Sequence, residues 1–297
     1  MRLSFKMKYL TTLFFFFSIC SFSQNKVVVL TVDATINPAV TDYIESGIEK
    51  AIELNAECVI IKLNTPGGLL KSTRVIVSAF LQSKIPIVVY VYPSGAQAAS
   101  AGVFITMAGH IAVMAPGTNI GAAHPVTMDG QADTTMMTKA TNDAAAFIRT
   151  ISEKRNRNIQ WGEDAVRKSL SITETEALEI NVIDLIAKDI NELLELIDSV
   201  KVQMDYGIKT LNTKNAELVY IDMTFQQDLL NTLSDPNVAY ILFMLGLYGL
   251  LFELYSPGAI FPGVIGGICI ILAFYAMHTL PINYAGFALI ILAVILF

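Results

Sequence analysis

The sequence has few of the residues that build disulfides, metal sites or nucleic-acid interfaces. It contains three cysteines and three histidines among 297 residues. Cys20, Cys58 and Cys269 lie far apart, and the histidines are scattered, so the sequence predicts neither a disulfide framework nor a metal site or bound cofactor. The net charge is −6, and no block of Lys and Arg is present. These features argue against nucleic acid as a partner.

Charged residues are also scarce, at 15% of the chain, and the mean hydropathy is +0.54. The shortage is local, because the chain becomes almost uncharged after about Asn231. Apolar runs at residues 238–255 and 264–280 each approach the roughly 20 residues of a membrane span, and residues 285–297 begin a third. The sequence therefore predicts a transmembrane helical region over residues 237–297. The third run stops before it would cross a bilayer, so either its helix is re-entrant or, as we expect, the sequence is a truncated version of a longer protein.

The first residues have the features of a secretory signal peptide. Three basic residues precede the apolar run at residues 9–20, and Ser21 and Ser23 then supply small side chains. The alternative, an uncleaved anchor, is too short for a membrane span. We expect cleavage after Ser23, which gives a signal peptide over residues 1–23. The globular part would then lie on the extracytoplasmic side of the inner membrane, in a multi-pass protein.

Between these apolar ends, the pattern predicts an α/β fold. Runs of β-branched residues at 27–32, 58–63 and 87–92 predict strands, and helical segments lie between them. Such alternation is typical of parallel βαβ units, in which functional groups lie at the carboxyl ends of the strands. We predict one globular domain over residues 24–201, followed by a connector that is poor in strands over residues 202–236.

The stretch at residues 88–125 contains a candidate nucleophile. The strand at 87–92 ends in a Pro-Ser-Gly turn, and a helix of small residues begins at Ser100. A serine at this place can be approached closely, and the free N–H groups of a helix start favour a developing anion. The alternative is that Ser100 only caps the helix, as serines at helix starts usually do.

A serine nucleophile needs a base and donors for the oxyanion. His110 lies about three turns further along the helix, and His124 in a glycine-rich loop remains an alternative base. The other route is a lysine kept neutral by burial. Lys139 opens a predicted helix, where a cation is disfavoured. Spacing alone, however, favours a solvated surface lysine. The N–H groups of the pair Gly67-Gly68 and of Ala101 are candidate oxyanion donors.

Several blocks, in order along nearly the whole mature chain, resemble the NfeD family of membrane-bound serine proteases. This family belongs to the ClpP/crotonase superfamily and is related to signal peptide peptidase A. The blocks are TPGG at 65–68, ASAG at 99–102, MAPGTNIGAAHP at 114–125, TKATN at 138–142, and segments within 172–187 and 235–258. One departure is Asn64, where the family commonly has Asp; we expect little consequence.

The resemblance implies a ClpP/crotonase-like spiral of ββα units, followed by transmembrane helices. It also implies a Ser–Lys dyad, with Ser100 as nucleophile, Lys139 as general base, and the N–H groups of Gly68 and Ala101 as oxyanion hole. Family members cleave apolar segments of membrane-associated stomatin-like (SPFH) proteins and oligomerise through the protease domain. The expected protein is a membrane-anchored serine endopeptidase, a dimer or higher homo-oligomer, with the lipid bilayer and a stomatin-like protein as partners.

Two other functions remain open at this point. The first is a non-catalytic scaffold that organises stomatin-like partners, since intact site residues do not prove turnover. The second is a crotonase-type acyl-CoA enzyme, which uses paired backbone N–H groups for a thioester enolate. In that enzyme Ser100 would have no task, and an exported domain meets little acyl-CoA.

Overall fold

The computed structural model describes residues 25–126, 134–255, 260–276 and 282–296. The predicted signal peptide lies outside these ranges. The strands are β1 (Lys26–Asp33), β2 (Cys58–Asn64), β3 (Ile87–Val91), β4 (Gln97–Ala99), β5 (Ile111–Met114), β6 (Asn119–Gly121), β7 (Ser171–Thr173), β8 (Leu185–Ile186), β9 (Lys201–Met204), β10 (Gly207–Thr210) and β11 (Glu217–Ile221). The helices are α1 (Pro38–Glu53), α2 (Leu70–Leu81), α3 (Ala101–Ala108), α4 (Thr134–Arg155), α5 (Ile159–Arg167), α6 (Glu174–Glu179), α7 (Ile190–Ile197), α8 (Phe225–Leu233), α9 (Pro236–Tyr255), α10 (Ile260–Ala276) and α11 (Ile282–Leu296).

The chain repeats one unit: a strand in a large sheet, a short extended segment in a second layer, and a helix. The large sheet is parallel throughout and has the order β11-β1-β2-β3-β5-β8. The second sheet has the order β4-β6-β7, so the runs β3-β4-α3 and β5-β6-α4 are complete ββα units. The first two units have isolated bridges at Ile36 and Thr65 in place of the short strand. The predicted α/β fold of ββα units is confirmed.

The large sheet is buried on both faces, which explains why its strands read as continuous apolar runs rather than alternating ones. All five residues of β3 are buried. One face packs against a core that includes side chains of α1 to α6. The other face is covered by α7 and the β9–β10 hairpin. The segments that contain the candidate site residues Gly68 and Ser100 follow strands β2 and β3 of this sheet.

The structure corrects the sequence-based reading of residues 202–236. These residues include most of β9, together with β10 and β11, and β11 joins the large sheet beside β1 with Lys26 opposite Glu217 and Leu30 opposite Ile221. The prediction of a segment poor in strands is therefore wrong. β11 is an edge strand in which Leu218 and Val219 are both half-buried, so its alternation is weak. The three-residue strands β4, β6 and β7 also escaped prediction, because three residues show no period.

Within the described ranges, α9 is the one helix long and apolar enough to cross a membrane, and α10 and α11 are shorter apolar helices. The backbones of α9 and α10 approach closely where both carry glycine. A Cβ added to Gly266 would lie 2.8 Å from the nitrogen of Leu250 and 2.9 Å from the carbonyl oxygen of Gly246. Small residues of this kind allow apolar helices to pack side by side in a bilayer.

Candidate functional site

Ser100 forms a sharp turn between β4 and α3. Its backbone has φ 51° and ψ −107°, a conformation that residues with a Cβ rarely adopt and that is found at strained functional positions. The turn is held by the Ser100 N–H, which donates to the carbonyl oxygen of Gly121 at 3.0 Å. The Ser100 side chain makes no capping hydrogen bond. Ordinary N-capping therefore does not explain this serine, and its half-buried hydroxyl stands at the head of α3.

Hydrogen bonds of Thr65 link the segment before Ser100 to the loop that contains Gly67 and Gly68, the glycine loop. It is fully buried, and its backbone pairs with β4: its N–H donates to Gln97 at 2.8 Å, and its carbonyl accepts from Ala99 at 3.1 Å. Its hydroxyl donates to the carbonyl oxygen of Gly67 at 3.0 Å. Movement of the glycine loop relative to β4 would break these bonds, so the loop and the serine are positioned together.

The two glycines of the loop are needed because the backbone comes very close to its neighbours. A Cβ on Gly67 would lie 2.7 Å from Ser100 Cβ and 3.2 Å from its Oγ, and one on Gly68 would overlap the backbone of Ile36. The N–H groups of Gly68 and Ala101 have no hydrogen-bond partner among the described residues. Unpaired backbone donors near a serine hydroxyl are the groups that stabilisation of a tetrahedral oxyanion requires.

Asn64 has a larger part in these hydrogen bonds than its sequence position indicates. Its Nδ2 donates to Asp33 Oδ1 at 2.8 Å, and its Oδ1 accepts from the Gln97 N–H at 3.0 Å. An aspartate at position 64 would place its carboxylate next to the carboxylate of Asp33. The amide that departs from the common family residue therefore joins the ends of β1, β2 and β4 through one donor and one acceptor.

Lys139 is more exposed than we expect of a lysine that burial keeps neutral. Helix α4 begins at Thr134, so Lys139 lies in its second turn rather than at its start. Its side chain is exposed and has no hydrogen-bond or ion-pair partner in the described part of the chain. Burial within the single chain, as expected for a neutral lysine base, is not found.

Lys139 nevertheless lies in line with two residues of α4 that contact α2 and α3. Lys139, Asp143 and Phe147 are spaced by four residues and so share one side of the helix. Asp143 pairs with Arg74 of α2 at 2.7 Å, and the Phe147 ring stacks on Phe104 of α3 with centroids 5.5 Å apart. The side of α4 that carries the lysine therefore borders α2 and α3, while the buried side of the helix is formed by other residues, among them Ala144 and Ile148.

Helices α3 and α4 run in the same direction. Phe104 meets Phe147 near the middle of α4, and Arg155 at the end of α4 donates from Nε to the carbonyl oxygen of Ala108, the last residue of α3, at 2.8 Å. The N-terminal part of α4 accordingly extends toward the end of α3 at which Ser100 lies. This register places the lysine at the serine end of the pair rather than at the opposite end.

The two alternative bases differ. His124 is half-buried, and its Nδ1 lies 2.9 Å from the carbonyl oxygen of Val166. A carbonyl can only accept, so this nitrogen carries the proton, and Nε2 has no hydrogen-bond partner among the described residues. His110 lies beyond the far end of α3 from Ser100 and accepts from the Ile87 N–H at 3.2 Å. Burial, followed by the charge of Arg155, lowers the pKa of His110 to about 3. His110 therefore cannot serve Ser100.

The buried, uncharged state of His110 predicts a pH dependence of folding. An unfolded histidine binds a proton near its ordinary pKa of 6.5, whereas the folded one resists protonation down to about 3. Below 6.5 the unfolded state holds the extra proton, so the free energy of unfolding falls as the pH falls, by about 2 kcal/mol between pH 6.5 and 5. In His110→Asn, whose amide oxygen can accept from Ile87, we expect this slope to flatten. Thermal unfolding of both proteins from pH 7 to 5 measures it; parallel slopes would contradict the assignment.

Other nucleophile and metal chemistry finds little support. Cys58 is fully buried in β2, and burial raises the pKa of its thiol to about 12, so the thiolate is not formed near neutral pH. The described residues contain no group of three or more His, Cys, Asp or Glu side chains that could hold a metal ion. Ser100 is therefore the nucleophile that the geometry favours.

These features define a class: a membrane protein whose globular domain is a parallel α/β fold of ββα units with a serine at a strand-to-helix turn. Residues 26–221 match the model of the NfeD1b N-terminal domain, and residues 237–297 match the NfeD integral membrane domain. The chain belongs to the NfeD family.

Two curated relatives match almost the whole chain. It is 38% identical over 279 residues to "Membrane-bound protease PH1510" of Pyrococcus horikoshii, covering 93% of this chain and 63% of that protein. It is 27% identical over 283 residues to "Membrane protein NfeD1b" of Bacillus subtilis, covering 92% of this chain and 63% of that protein. The chain thus spans 63% of the length of each relative.

A solved structure matches the globular domain. It is an alanine variant of the 1510-N membrane-bound stomatin-specific protease in complex with a substrate peptide. The match has a TM-score of 0.65 at 37% identity and covers 71% of this chain and 98% of that one. The 1510-N protease from Pyrococcus horikoshii, described as specific for a stomatin homologue, matches with a TM-score of 0.63 at 36% identity, over 72% of this chain and 100% of that one.

Proposed function

We propose that this protein is a membrane-anchored serine endopeptidase with a Ser–Lys dyad. The observation that carries the proposal is the turn at Ser100, whose uncapped hydroxyl lies close to Gly67, next in sequence to Gly68; the N–H groups of Gly68 and Ala101 have no partner among the described residues. A hydroxyl held in a strained turn beside backbone donors suits acyl transfer, and a scaffold would have no need for it.

In this mechanism Ser100 Oγ attacks the scissile carbonyl carbon as the Lys139 amine takes the hydroxyl proton. The carbonyl oxygen becomes the oxyanion and accepts from Gly68 and Ala101. Collapse of the tetrahedral intermediate breaks the C–N bond, and the protonated lysine gives its proton to the leaving amine. Water then attacks the acyl-serine ester with the same amine as base, which releases the acid and restores both side chains.

The lysine must be uncharged to act as a base, yet Lys139 is exposed in the single chain. We propose that a bound peptide and a second copy of the chain cover the N-terminal part of α4. Exclusion of water there favours the neutral amine. The protein would then be a homo-oligomer, and its site would be complete only when it is covered.

The substrate class we propose is apolar segments of stomatin-like membrane proteins. The relatives described as specific for stomatin support it, as do two exposed apolar side chains that lie in sequence between β6 and Lys139. Val126 is 83% exposed, and Met136, one turn before Lys139, is 70% exposed. Such side chains are available to contact an apolar peptide. The NfeD membrane domain, with the leader read in residues 1–23, supports a multi-pass protein of the inner membrane with an extracytoplasmic domain.

The proposal is tested with the full chain in lipid nanodiscs. We expect cleavage of apolar peptides from a stomatin-like protein, with cuts mapped by mass spectrometry, and labelling of Ser100 by a fluorophosphonate probe. Absence of both in folded protein that still binds the peptide would indicate a non-catalytic scaffold. Acyl-CoA turnover without labelling would indicate a crotonase-type enzyme.

A further inference from the structure

Helix α8, which joins the globular domain to α9, turns its polar side toward the protein. Gln227 is buried, and its Nε2 donates to Asp42 of α1 at 2.6 Å. One turn later, Asn231 Oδ1 accepts from Asn37 Nδ2, at the start of α1, at 2.8 Å. These two polar contacts fix which side of α8 meets the domain.

The opposite side of α8 carries two exposed apolar side chains. Phe225 is 81% exposed, and Leu229, one turn further on, is 47% exposed. A surface helix in water normally buries its apolar side and exposes its polar side. Single exposed apolar residues are common, but Phe225 and Leu229 lie one turn apart on the same side of α8, so an apolar surface could cover both.

The charge around α8 indicates what kind of surface covers it. No Lys or Arg follows Lys214 in the sequence, whereas Asp222, Asp228 and Asp235 lie on or beside α8. These carboxylates repel an anionic surface, so the charges of this segment do not favour anionic lipid. Its exposed apolar side chains are the groups available for binding.

The position of α8 in the chain indicates where that surface lies. Only Ser234 and Asp235 separate α8 from α9, the helix long and apolar enough to cross a membrane. We propose that α8 lies in the bilayer interface, with Phe225 and Leu229 inserted at the boundary between headgroups and acyl chains of neutral lipid. Burial of such a side in the interface is the usual mode of binding for amphipathic helices that lie on a membrane.

This placement would also bring the glycine loop near the membrane surface, a consequence that rests on the proposed function. Asn37, the α8 contact, follows Ile36. The N–H of Ile36 donates to Gly67 and its carbonyl accepts from Leu69, both at 2.8 Å. Peptide bonds close to the bilayer would therefore be the ones presented to Ser100, which narrows the substrate class to juxtamembrane segments.

Tryptophan fluorescence of the full chain in nanodiscs tests the helix placement without requiring activity. The chain has one tryptophan, the buried Trp161, whose signal is subtracted with the unsubstituted protein. For Phe225→Trp in phosphatidylcholine we expect emission at shorter wavelength and loss of intensity when the lipid is brominated near the top of its acyl chains. Gln226→Trp, exposed on the flank of the same helix, is the matched control and should show much less of both.

Three outcomes would overturn the placement. Equal, water-like emission of both variants would show that α8 stays outside the bilayer. A blue shift of Phe225→Trp that depends on protein concentration and not on brominated lipid would show that a second copy covers the helix. Quenching that appears only with anionic lipid would contradict binding by apolar side chains alone. The fluorescence experiment does not measure catalysis. A negative fluorescence result would therefore not contradict the proposed protease activity, and absence of cleavage would not contradict the placement of α8.

Discussion

Ser100→Ala will abolish peptide cleavage and fluorophosphonate labelling without unfolding the protein. The hydroxyl is the atom that attacks in the proposed mechanism, and loss of a serine nucleophile typically lowers kcat on the order of 10⁶-fold. The Ser100 hydroxyl has no capping hydrogen bond, and the turn is held by its backbone N–H. Its removal therefore costs the fold little. Cleavage rates and thermal unfolding of the two proteins measure both effects.

A glycine at the same position separates catalysis from strain. At φ 51° and ψ −107° a glycine is far less restricted than a residue with a Cβ. We expect Ser100→Gly to be as inactive as Ser100→Ala but more stable than it by roughly 1 kcal/mol. Ser94→Ala, in the exposed turn before β4, is the control that should retain full activity. Cleavage that survives in purified Ser100→Ala protein would remove the serine from the mechanism.

The main elements of this fold were predictable because their signals are local. Each buried parallel strand reads as an apolar run, and some of the helices begin at caps that the sequence shows. Asn37 accepts from the Val40 N–H and precedes a proline, and Thr173 with Glu176 forms a capping box. Strand β11 has no such signal. It forms because β1 offers it an unpaired edge from nearly two hundred residues away in sequence.

In the candidate site, too, some features were predictable from local sequence and others were not. The turn at Ser100 and the glycine loop follow from short sequence runs, since a break between strand and helix and a close backbone approach both need particular small residues. The hydrogen bonds that join the strand ends around them do not follow from these short runs. Asn64 reads as a minor departure in sequence, and its bonds to Asp33 and Gln97 are visible only once three strand ends meet. Likewise, whether Lys139 is buried depends on what covers α4, which no local pattern encodes.

Lys139→Ala will lower cleavage on the order of 10³-fold, within the range that general bases contribute. Lys139→Arg should be equally impaired, because a guanidinium keeps its charge at any working pH and cannot take the serine proton. The stability of both variants should stay close to that of the parent, since Lys139 is exposed and has no partner in the described part of the chain. The measurements are kcat/KM with an apolar peptide and the rate of fluorophosphonate labelling.

The pattern across three controls decides the role of the lysine. Lys71→Ala, an exposed lysine on α2, should leave activity unchanged and so excludes a general effect of charge. His124→Ala should retain most activity, because its Nδ1 is engaged with Val166 and the lysine is the proposed base. Activity that survives in Lys139→Arg would mean that the side chain acts as a charge and not as a base. Activity lost in His124→Ala but kept in Lys139→Ala would transfer proton abstraction to the free Nε2 of His124.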